Sequence, residues 1–140
     1  EIQTVEGVTL LDVDPGADTN RTVVTFIGPP EPTVEAAFRA IKKASELIDM
    51  TKHTGAHPRQ GATYVCPFVP VANVSIEECV EMSKKLGERV GSELEIPVYL
   101  YEKAATRPER ENLAVLMLIR TNGGIEERQT AAFARLRDIT

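Results

Sequence analysis

The pattern of apolar and polar positions predicts a strand near the start of the chain. In VTLLDVDPG, residues 8–16, successive side chains point to opposite faces of an extended chain, and the Pro-Gly pair ends the element. Leu11 and Val13 fall on one face. The opposite face takes the remaining positions, which are Val8, Leu10, Asp12 and Asp14. Two carboxylates therefore share one face near the carboxyl end of this strand.

A second strand and a turn follow directly. Residues 21–27 alternate in the same way after a short polar segment, so the two strands are predicted to form a hairpin with Asp18 and Asn20 in its turn. Further apolar runs predict strands at 62–71 and 97–102. All four strands carry apolar residues on both faces, which is typical of sheets that are covered on both sides.

Apolar residues at helical spacing predict two helices. Pro30 and Pro32 introduce the first, over residues 33–50. The second begins with a capping box of Ser75 and Glu78, in which the side chain of each residue accepts a hydrogen bond from the backbone amide of the other. The apolar stripe of this second helix is Ile76, Cys79, Val80, Leu86, Val90 and Leu94.

The order of these elements predicts the fold class. Strand, strand, helix, strand, helix, strand indicates an α+β fold, a ferredoxin-like α/β sandwich with a mixed sheet and helices packed on one face. Residues 113–120 fit either a helix or a strand, and a further helix is predicted over 125–138. Helices on one face leave the other apolar face open. We therefore expect a second layer, either from a longer chain or from a second copy in a two-fold homodimer.

Candidate chemistry concentrates in the histidine loop, TKHTGAHPRQG at residues 51–61. It holds both histidines of the chain, His53 and His57, and histidine changes its charge near neutral pH. Pro58 stiffens the backbone beside His57 and disfavours a helix there, while His53 is assigned to the solvated side of the loop. The loop alone leaves three interpretations open: a solvated or structural histidine, a metal site, which the break in helical geometry disfavours, and an acid–base catalyst.

Composition and charge exclude several classes of function. With 140 residues the chain fits one domain or subdomain, and 16 Lys and Arg against 21 Asp and Glu give a formal charge of -5, which argues against nucleic-acid binding through a basic surface. Cys66 and Cys79 are predicted to be reduced core thiols. No apolar run reaches transmembrane length and no signal peptide is visible, so we expect a soluble, cytoplasmic protein without a membrane partner.

Three separated segments resemble one known family. LLDVDPGADTNRTVVTFIG, SELIDMTKHTGAHPRQGATYVCPFVPV and ELEIPVYLYEKAATRPER occur in the order and at the intervals of the formiminotransferase amino-terminal subdomain, found in glutamate formimidoyltransferase and formimidoyltransferase-cyclodeaminase. The similarity covers most of residues 8–112, whereas 113–140 match the family poorly. Residues 1–140 are thus expected to form this subdomain, with the family's first strand and its VPNFSEG-like motif expected before Glu1.

The resemblance implies folate-dependent transfer of a formimino group from N-formiminoglutamate to tetrahydrofolate, in histidine catabolism and one-carbon metabolism. Tetrahydrofolate is then a co-substrate, and no metal is implied. By the same resemblance His57 in GAHPR is the general base, and Asp14, the second Asp of LLDVD, is its catalytic partner. Asn20, Arg21 and Arg59 become candidates for binding the pterin or the substrate carboxylates, because a planar guanidinium matches a carboxylate.

Two features separate the chain from the family pattern. An acidic residue often precedes the histidine in the family, and here that residue is Ala56. The family also encloses folate between this subdomain and a second one. Two functions are therefore expected: an enzyme that works with a C-terminal subdomain or a partner copy, or a non-catalytic folate-binding or interaction module that lacks the second subdomain.

Overall fold

The computed structural model describes residues 1–57 and 59–113. The chain divides after Cys66 into two compact units. The first unit holds strands β1 (Thr9–Gly16) and β2 (Arg21–Ile27) and helix α1 (Pro30–Leu47), and the second holds helix α2 (Ile76–Leu94). Short 3-10 turns lie at Ile2–Thr4, Met50–Lys52, Glu102–Ala104 and Pro108–Arg110. The described part is therefore an α+β structure with a two-stranded antiparallel sheet, which confirms the predicted class.

Strands β1 and β2 form the predicted hairpin, but with a bulge that simple alternation does not show. Leu10 and Asp12 lie opposite neighbouring residues of β2, so Leu11 between them has no partner on that strand. Because Leu11 is an extra residue, the side chains before it point to the face opposite to the one that simple alternation assigns to them. Leu10 therefore shares a face with Val13, and the prediction that it shares a face with Asp12 is wrong. Asp12 and Asp14 remain on one face, as expected.

The hairpin leaves large apolar side chains exposed on both of its faces. Val13 lies opposite Val24, and these two side chains are 52% and 41% exposed. Val23, on the other face, is 56% exposed. A two-stranded sheet has too little surface to bury both faces by itself. The two-sided apolar pattern therefore appears in the structure as exposed surface.

Helix α1 begins at Pro30 instead of residue 33 and ends at Leu47. Prolines are tolerated in a first turn, because its amides have no partner within the helix, so Pro30 and Pro32 fit inside the helix and do not merely precede it. Its buried side chains are Ala36, Ala37, Phe38 and Ile41. The helix packs against the turn Ile2–Thr4, which also contacts β1. The core of the first unit therefore lies along helix α1.

Helix α2 begins where its sequence predicts. The Ser75 amide donates to Glu78 Oε2 at 2.7 Å and the Glu78 amide donates to Ser75 Oγ at 3.1 Å, so the capping box is complete. The buried side of the helix includes Gly87, where an added Cβ would lie 3.4 Å from Val98 and 3.7 Å from Leu100. The core of the second unit is Cys79, Met82, Leu86, Val90 and Leu100. Three residues of the apolar stripe predicted from the sequence thus lie on the packed face of α2: Cys79, Leu86 and Val90.

The strands predicted at 62–71 and 97–102 are absent from the structure, and this prediction is wrong. Pro67, Pro70 and Pro97 lack the amide that a ladder needs, and a strand also requires a neighbouring strand, which an apolar run cannot supply. The elements predicted at 113–120 and 125–138 fall, apart from Leu113, outside the described residues. Across 1–57 and 59–113, no helix is long and apolar enough to cross a membrane.

Candidate functional site

The turn between β1 and β2 carries the histidine loop. Asn20 adopts a left-handed backbone conformation with φ of 48°, which asparagine tolerates better than most residues. Its backbone amide donates to the carbonyl of Ala17 at 3.1 Å. Two hydrogen bonds then join turn and loop. Asn20 Nδ2 donates to the Thr54 carbonyl at 2.9 Å, and the Ala56 amide donates to the Asp18 carbonyl at 2.9 Å. The predicted turn residues therefore position the loop.

Gly55 lies between these two hydrogen bonds and permits a close approach. A Cβ at position 55 would lie 2.6 Å from the carbonyl oxygen of Thr19 and 2.9 Å from its carbonyl carbon. Both distances are below those that real Cβ atoms adopt, and the atoms they meet belong to backbone that cannot rotate away. Any residue larger than glycine would therefore push the loop off the turn. The glycine of GAHPR is required by packing.

Arg59 ties the carboxyl end of the loop to the same turn. Its Nε donates to the carbonyl of Gly61 at 3.1 Å, and one Nη donates to the carbonyl of Asn20 at 3.3 Å. The other Nη donates to the carbonyl of Ala62. A guanidinium has five N–H groups, so these three bonds leave one N–H on each Nη for a ligand. Arg59, predicted as a binding residue, is in the first place a clamp on the backbone.

His57 lies at the exposed surface of the loop, against an aromatic ring. Its imidazole and the ring of Tyr64 meet edge to face, with 5.7 Å between centroids and 72° between planes. The guanidinium carbon of Arg21 lies 5.8 Å from the centroid of the same Tyr64 ring. Sequence reasoning did not single out Tyr64, because no motif distinguishes it from a strand aromatic. His57 and Arg21, two predicted site residues, therefore contact the same ring, which belongs to the unpredicted residue Tyr64.

The two histidines of the loop differ in exposure, and not as expected. His53 is half-buried, and its Nε2 is shielded from solvent without a hydrogen-bond partner among the described residues. The assignment of His53 to the solvated side is therefore wrong. His57 is the accessible imidazole. The reason is positional, since His53 ends the 3-10 turn Met50–Lys52 whereas His57 lies beyond the bonds that fix the loop.

Asp14 lies on strand β1, near the end that adjoins the hairpin turn. It lies opposite Val23 on β1 and is exposed. Its carboxylate makes no hydrogen bond or ion pair with any residue that the structure describes. The structure thus brings His57, Arg21 and Arg59 to the hairpin turn at Asn20, but it does not join Asp14 to His57.

The sequence matches a known protein family over nearly its whole length. The family described as "Formiminotransferase domain, N-terminal subdomain" matches residues 1–131. The chain belongs to the formiminotransferase family. All the site residues described above fall within the matched range.

Individual members of the formiminotransferase family are similar to the chain at half of the aligned positions or more. Glutamate formimidoyltransferase of Streptococcus pyogenes serotype M1 is 56% identical over 112 residues, which cover 80% of this chain and 38% of that protein. Formimidoyltransferase-cyclodeaminase of Mus musculus is 55% identical over 115 residues, 82% of this chain and 21% of that protein. Glutamate formimidoyltransferase of Thermoplasma acidophilum is 50% identical over 115 residues, covering 82% and 38%. The chain therefore spans only 21% to 38% of the length of these relatives.

Neither cysteine of this formiminotransferase-family chain is suited to nucleophilic chemistry at neutral pH. Burial raises the pKa of the Cys66 thiol to about 11, and burial, followed by the charge of Glu78, raises the pKa of the Cys79 thiol. Both are free thiols, and Cys79 lies in the core as predicted, whereas Cys66 is only partly buried and not in the core. Within residues 1–57 and 59–113, no three His, Cys, Asp or Glu side chains come together in a way that could hold a metal ion. The exposed imidazole of His57 is the candidate for proton transfer.

Proposed function

We propose that this chain carries the general base of a formimino transfer from N-formiminoglutamate to N5 of tetrahydrofolate. Membership of the formiminotransferase family supports the reaction, since similar relatives are named glutamate formimidoyltransferase. The observation that carries the assignment of the base is the exposed imidazole of His57, in a loop that the Asn20 side chain, the Ala56 backbone amide and Arg59 fix to the hairpin turn. An exposed imidazole on a fixed backbone can meet a substrate in a defined position.

The proposed reaction proceeds by addition and elimination. The lone pair of N5 attacks the amidine carbon, the π electrons move to the imino nitrogen, and His57 takes the proton that N5 loses. The imidazolium then returns this proton to the glutamate nitrogen, the electron pair on the imino nitrogen re-forms the C=N bond, and the bond from carbon to the glutamate nitrogen breaks with its electron pair staying on that nitrogen. Asp14 is the proposed partner that stabilises the imidazolium. Its exposed carboxylate makes no bond to a described residue, so its charge is available.

Binding of the substrate is proposed at the hairpin turn. Arg59 keeps an N–H on each Nη, and Arg21 makes no ion pair with any described residue, so both guanidinium groups can meet a carboxylate. Asn20 uses its Nδ2 on Thr54 and retains its Oδ1 as an acceptor. These three side chains fit a ligand that carries several carboxylates and polar ring nitrogens, such as folate and formiminoglutamate.

The decisive experiment compares the two histidines in a transfer assay with N-formiminoglutamate and tetrahydrofolate. His57→Ala should lower turnover by about two to four orders of magnitude, the usual range for a general base, without changing the thermal midpoint much, because His57 is exposed. His53→Ala is the matched control and should leave turnover per folded molecule unchanged. In a form of the protein that shows transfer, this chain or a longer parent, equal turnover of His57→Ala and the unchanged protein would remove the mechanism.

A second function is a non-catalytic folate-binding or interaction module. It is favoured by one observation: the Asp14 carboxylate makes no hydrogen bond or ion pair with His57. Calorimetry with tetrahydrofolate separates the two functions. Binding without transfer, in this chain and in His57→Ala alike, supports the module.

The assembled protein is proposed to be a ferredoxin-like sandwich with a second layer, from a C-terminal subdomain or a second copy in a homodimer. Among the described residues β1 and β2 pair only with each other, which leaves two unpaired edges, and Val13 and Val23 are exposed on opposite faces. Sedimentation equilibrium should show a dimer of the isolated chain. A monomer that binds no hydrophobic dye contradicts this. The proposed location is the cytoplasm, which suits two free thiols.

A further inference from the structure

Tyr64 occupies a position that neither the loop motif nor the proposed reaction assigns. Its ring is half-buried and receives the imidazole of His57 edge to face at 5.7 Å and the guanidinium of Arg21 at 5.8 Å. Aromatic pairs prefer this edge-to-face arrangement at centroid distances of roughly 4.5–7 Å, and a cation is attracted to a ring within about 6 Å. Both contacts fall within these ranges.

The path of the backbone explains how Tyr64 reaches His57. Arg59 donates to the carbonyls of Gly61 and Ala62, so its side chain holds the backbone of residues 59–62 in a compact turn. The same guanidinium is bonded to the Asn20 carbonyl. Tyr64, two residues beyond Ala62, is therefore presented to the exposed imidazole by a clamp that also fixes the hairpin turn.

We infer that Tyr64 is a positioning residue for His57. Its ring holds the imidazole in one orientation, and the guanidinium of Arg21 contacts the same Tyr64 ring. This rests on the proposed function of His57. An exposed side chain on a loop has several rotamers open to it, and a base displaced by about 1 Å loses on the order of 100-fold in rate. A ring contact that restricts those rotamers therefore raises turnover without touching the substrate.

The ring of Tyr64, and not its hydroxyl, should carry this role. The hydroxyl makes no hydrogen bond with any residue in 1–57 or 59–113, whereas the ring makes both contacts. Tyr64→Phe keeps the ring and Tyr64→Leu removes it with little loss of apolar volume. The two variants therefore separate the contact from the polar group.

A spectroscopic experiment tests the contact independently of activity. The chain has two histidines, so His53→Gln leaves His57 as the sole source of imidazole proton resonances. In that background the ring current of Tyr64 should displace the His57 resonances. Tyr64→Phe should keep the displacement, and Tyr64→Leu should abolish it. Tyr99→Leu is a matched control, because Tyr99 lies in the other unit against Arg110, and it should leave the resonances in place. Unchanged resonances in Tyr64→Leu overturn the inference.

A kinetic experiment tests the consequence. Tyr64→Leu should lower kcat by about 10- to 100-fold with little change in KM, Tyr64→Phe should retain nearly full kcat, and Tyr64→Leu should add nothing to His57→Ala. Full kcat in Tyr64→Leu overturns the positioning role while a loss in His57→Ala still supports the base. If His57→Ala is fully active, the proposed function fails, and the resonances alone then decide whether Tyr64 orients the ring.

Discussion

Helix α2 and the histidine loop are stabilised in different ways. The helix is set by neighbours in sequence: Ser75 and Glu78 cap it, and its apolar stripe repeats with the helical period. The loop is set by residues far away in sequence, since Asn20 binds Thr54 and Arg59 binds the Asn20 carbonyl. A local element survives changes elsewhere, whereas the loop depends on the hairpin turn. The candidate base therefore lies on a segment whose position depends on residues far away in sequence.

The largest effect is expected at Arg59, which joins the loop to the turn. Arg59→Lys keeps the charge but loses the planar fork that reaches the carbonyls of Gly61, Ala62 and Asn20. Bonds from a charged donor contribute about 1.5–3 kcal/mol, so the free energy of unfolding should fall by about that amount. Urea denaturation measures it. Lys84→Arg, on the exposed surface of α2, is the control and should leave stability unchanged. An Arg59→Lys variant as stable as the unchanged chain would show that the hydrogen bonds of Arg59 do not contribute to the free energy of unfolding.

Gly55→Ala should break the loop by overpacking. The new Cβ would lie 2.6 Å from the Thr19 carbonyl oxygen, and a forced shift of this kind costs about 1–3 kcal/mol. The same variant should lower transfer activity, because the loop carries His57. Denaturation and the transfer assay together measure both losses. Gly55→Ala with full stability and full activity is the result that would falsify the close packing of loop on turn.

Ser75→Ala tests the helix at its cap. Loss of the hydroxyl that accepts from the Glu78 amide should cost about 1 kcal/mol, and Ser75→Asn should restore most of it. Transfer activity per folded molecule should not change, since the cap belongs to the second unit and the histidine loop to the first. Thermal denaturation of the two variants measures the difference. Equal midpoints for Ser75→Ala and Ser75→Asn would contradict the role of the side-chain cap.

Gly87→Ala is the counterpart of Gly55→Ala and should have the opposite sign. At position 87 the new Cβ would lie 3.4 Å from the nearest atom of Val98, which is ordinary contact, and alanine favours a helix interior over glycine by up to about 1 kcal/mol. A change from glycine to alanine should therefore stabilise α2 slightly at position 87 and destabilise the histidine loop at position 55. Parallel denaturation curves decide this. A clear loss of stability in Gly87→Ala would mean that Val98 and Leu100 cannot yield.

The sequence predicted the elements whose causes are local. The hairpin with Asp18 and Asn20 in its turn, helix α1 and the cap of α2 all follow from turn residues, prolines, caps and period. The family could also be read from short motifs. These signals lie within a few residues of the structure that they produce, so they do not need the rest of the fold.

The errors about strands share one physical origin. Strands at 62–71 and 97–102 were predicted from apolar runs, but a strand exists only with a partner, and a sequence pattern does not name one. The bulge at Leu11 moved Leu10 to the other face of β1, and alternation cannot detect an extra residue. Both of these errors concern the pairing of strands.

The features of the candidate site also divide into those that follow from the local sequence and those that depend on contacts between segments. By itself the sequence determined which residue types the loop offers: two histidines, a glycine, a proline and an arginine in the family motif. Only the tertiary structure decided that His57 is exposed and His53 half-buried, that Arg59 is tied to Asn20, and that Tyr64 lies against the imidazole. Residue identity is a property of the chain, whereas the position of the loop depends on contacts between residues 34 positions apart, Asn20 and Thr54, and 39 positions apart, Asn20 and Arg59.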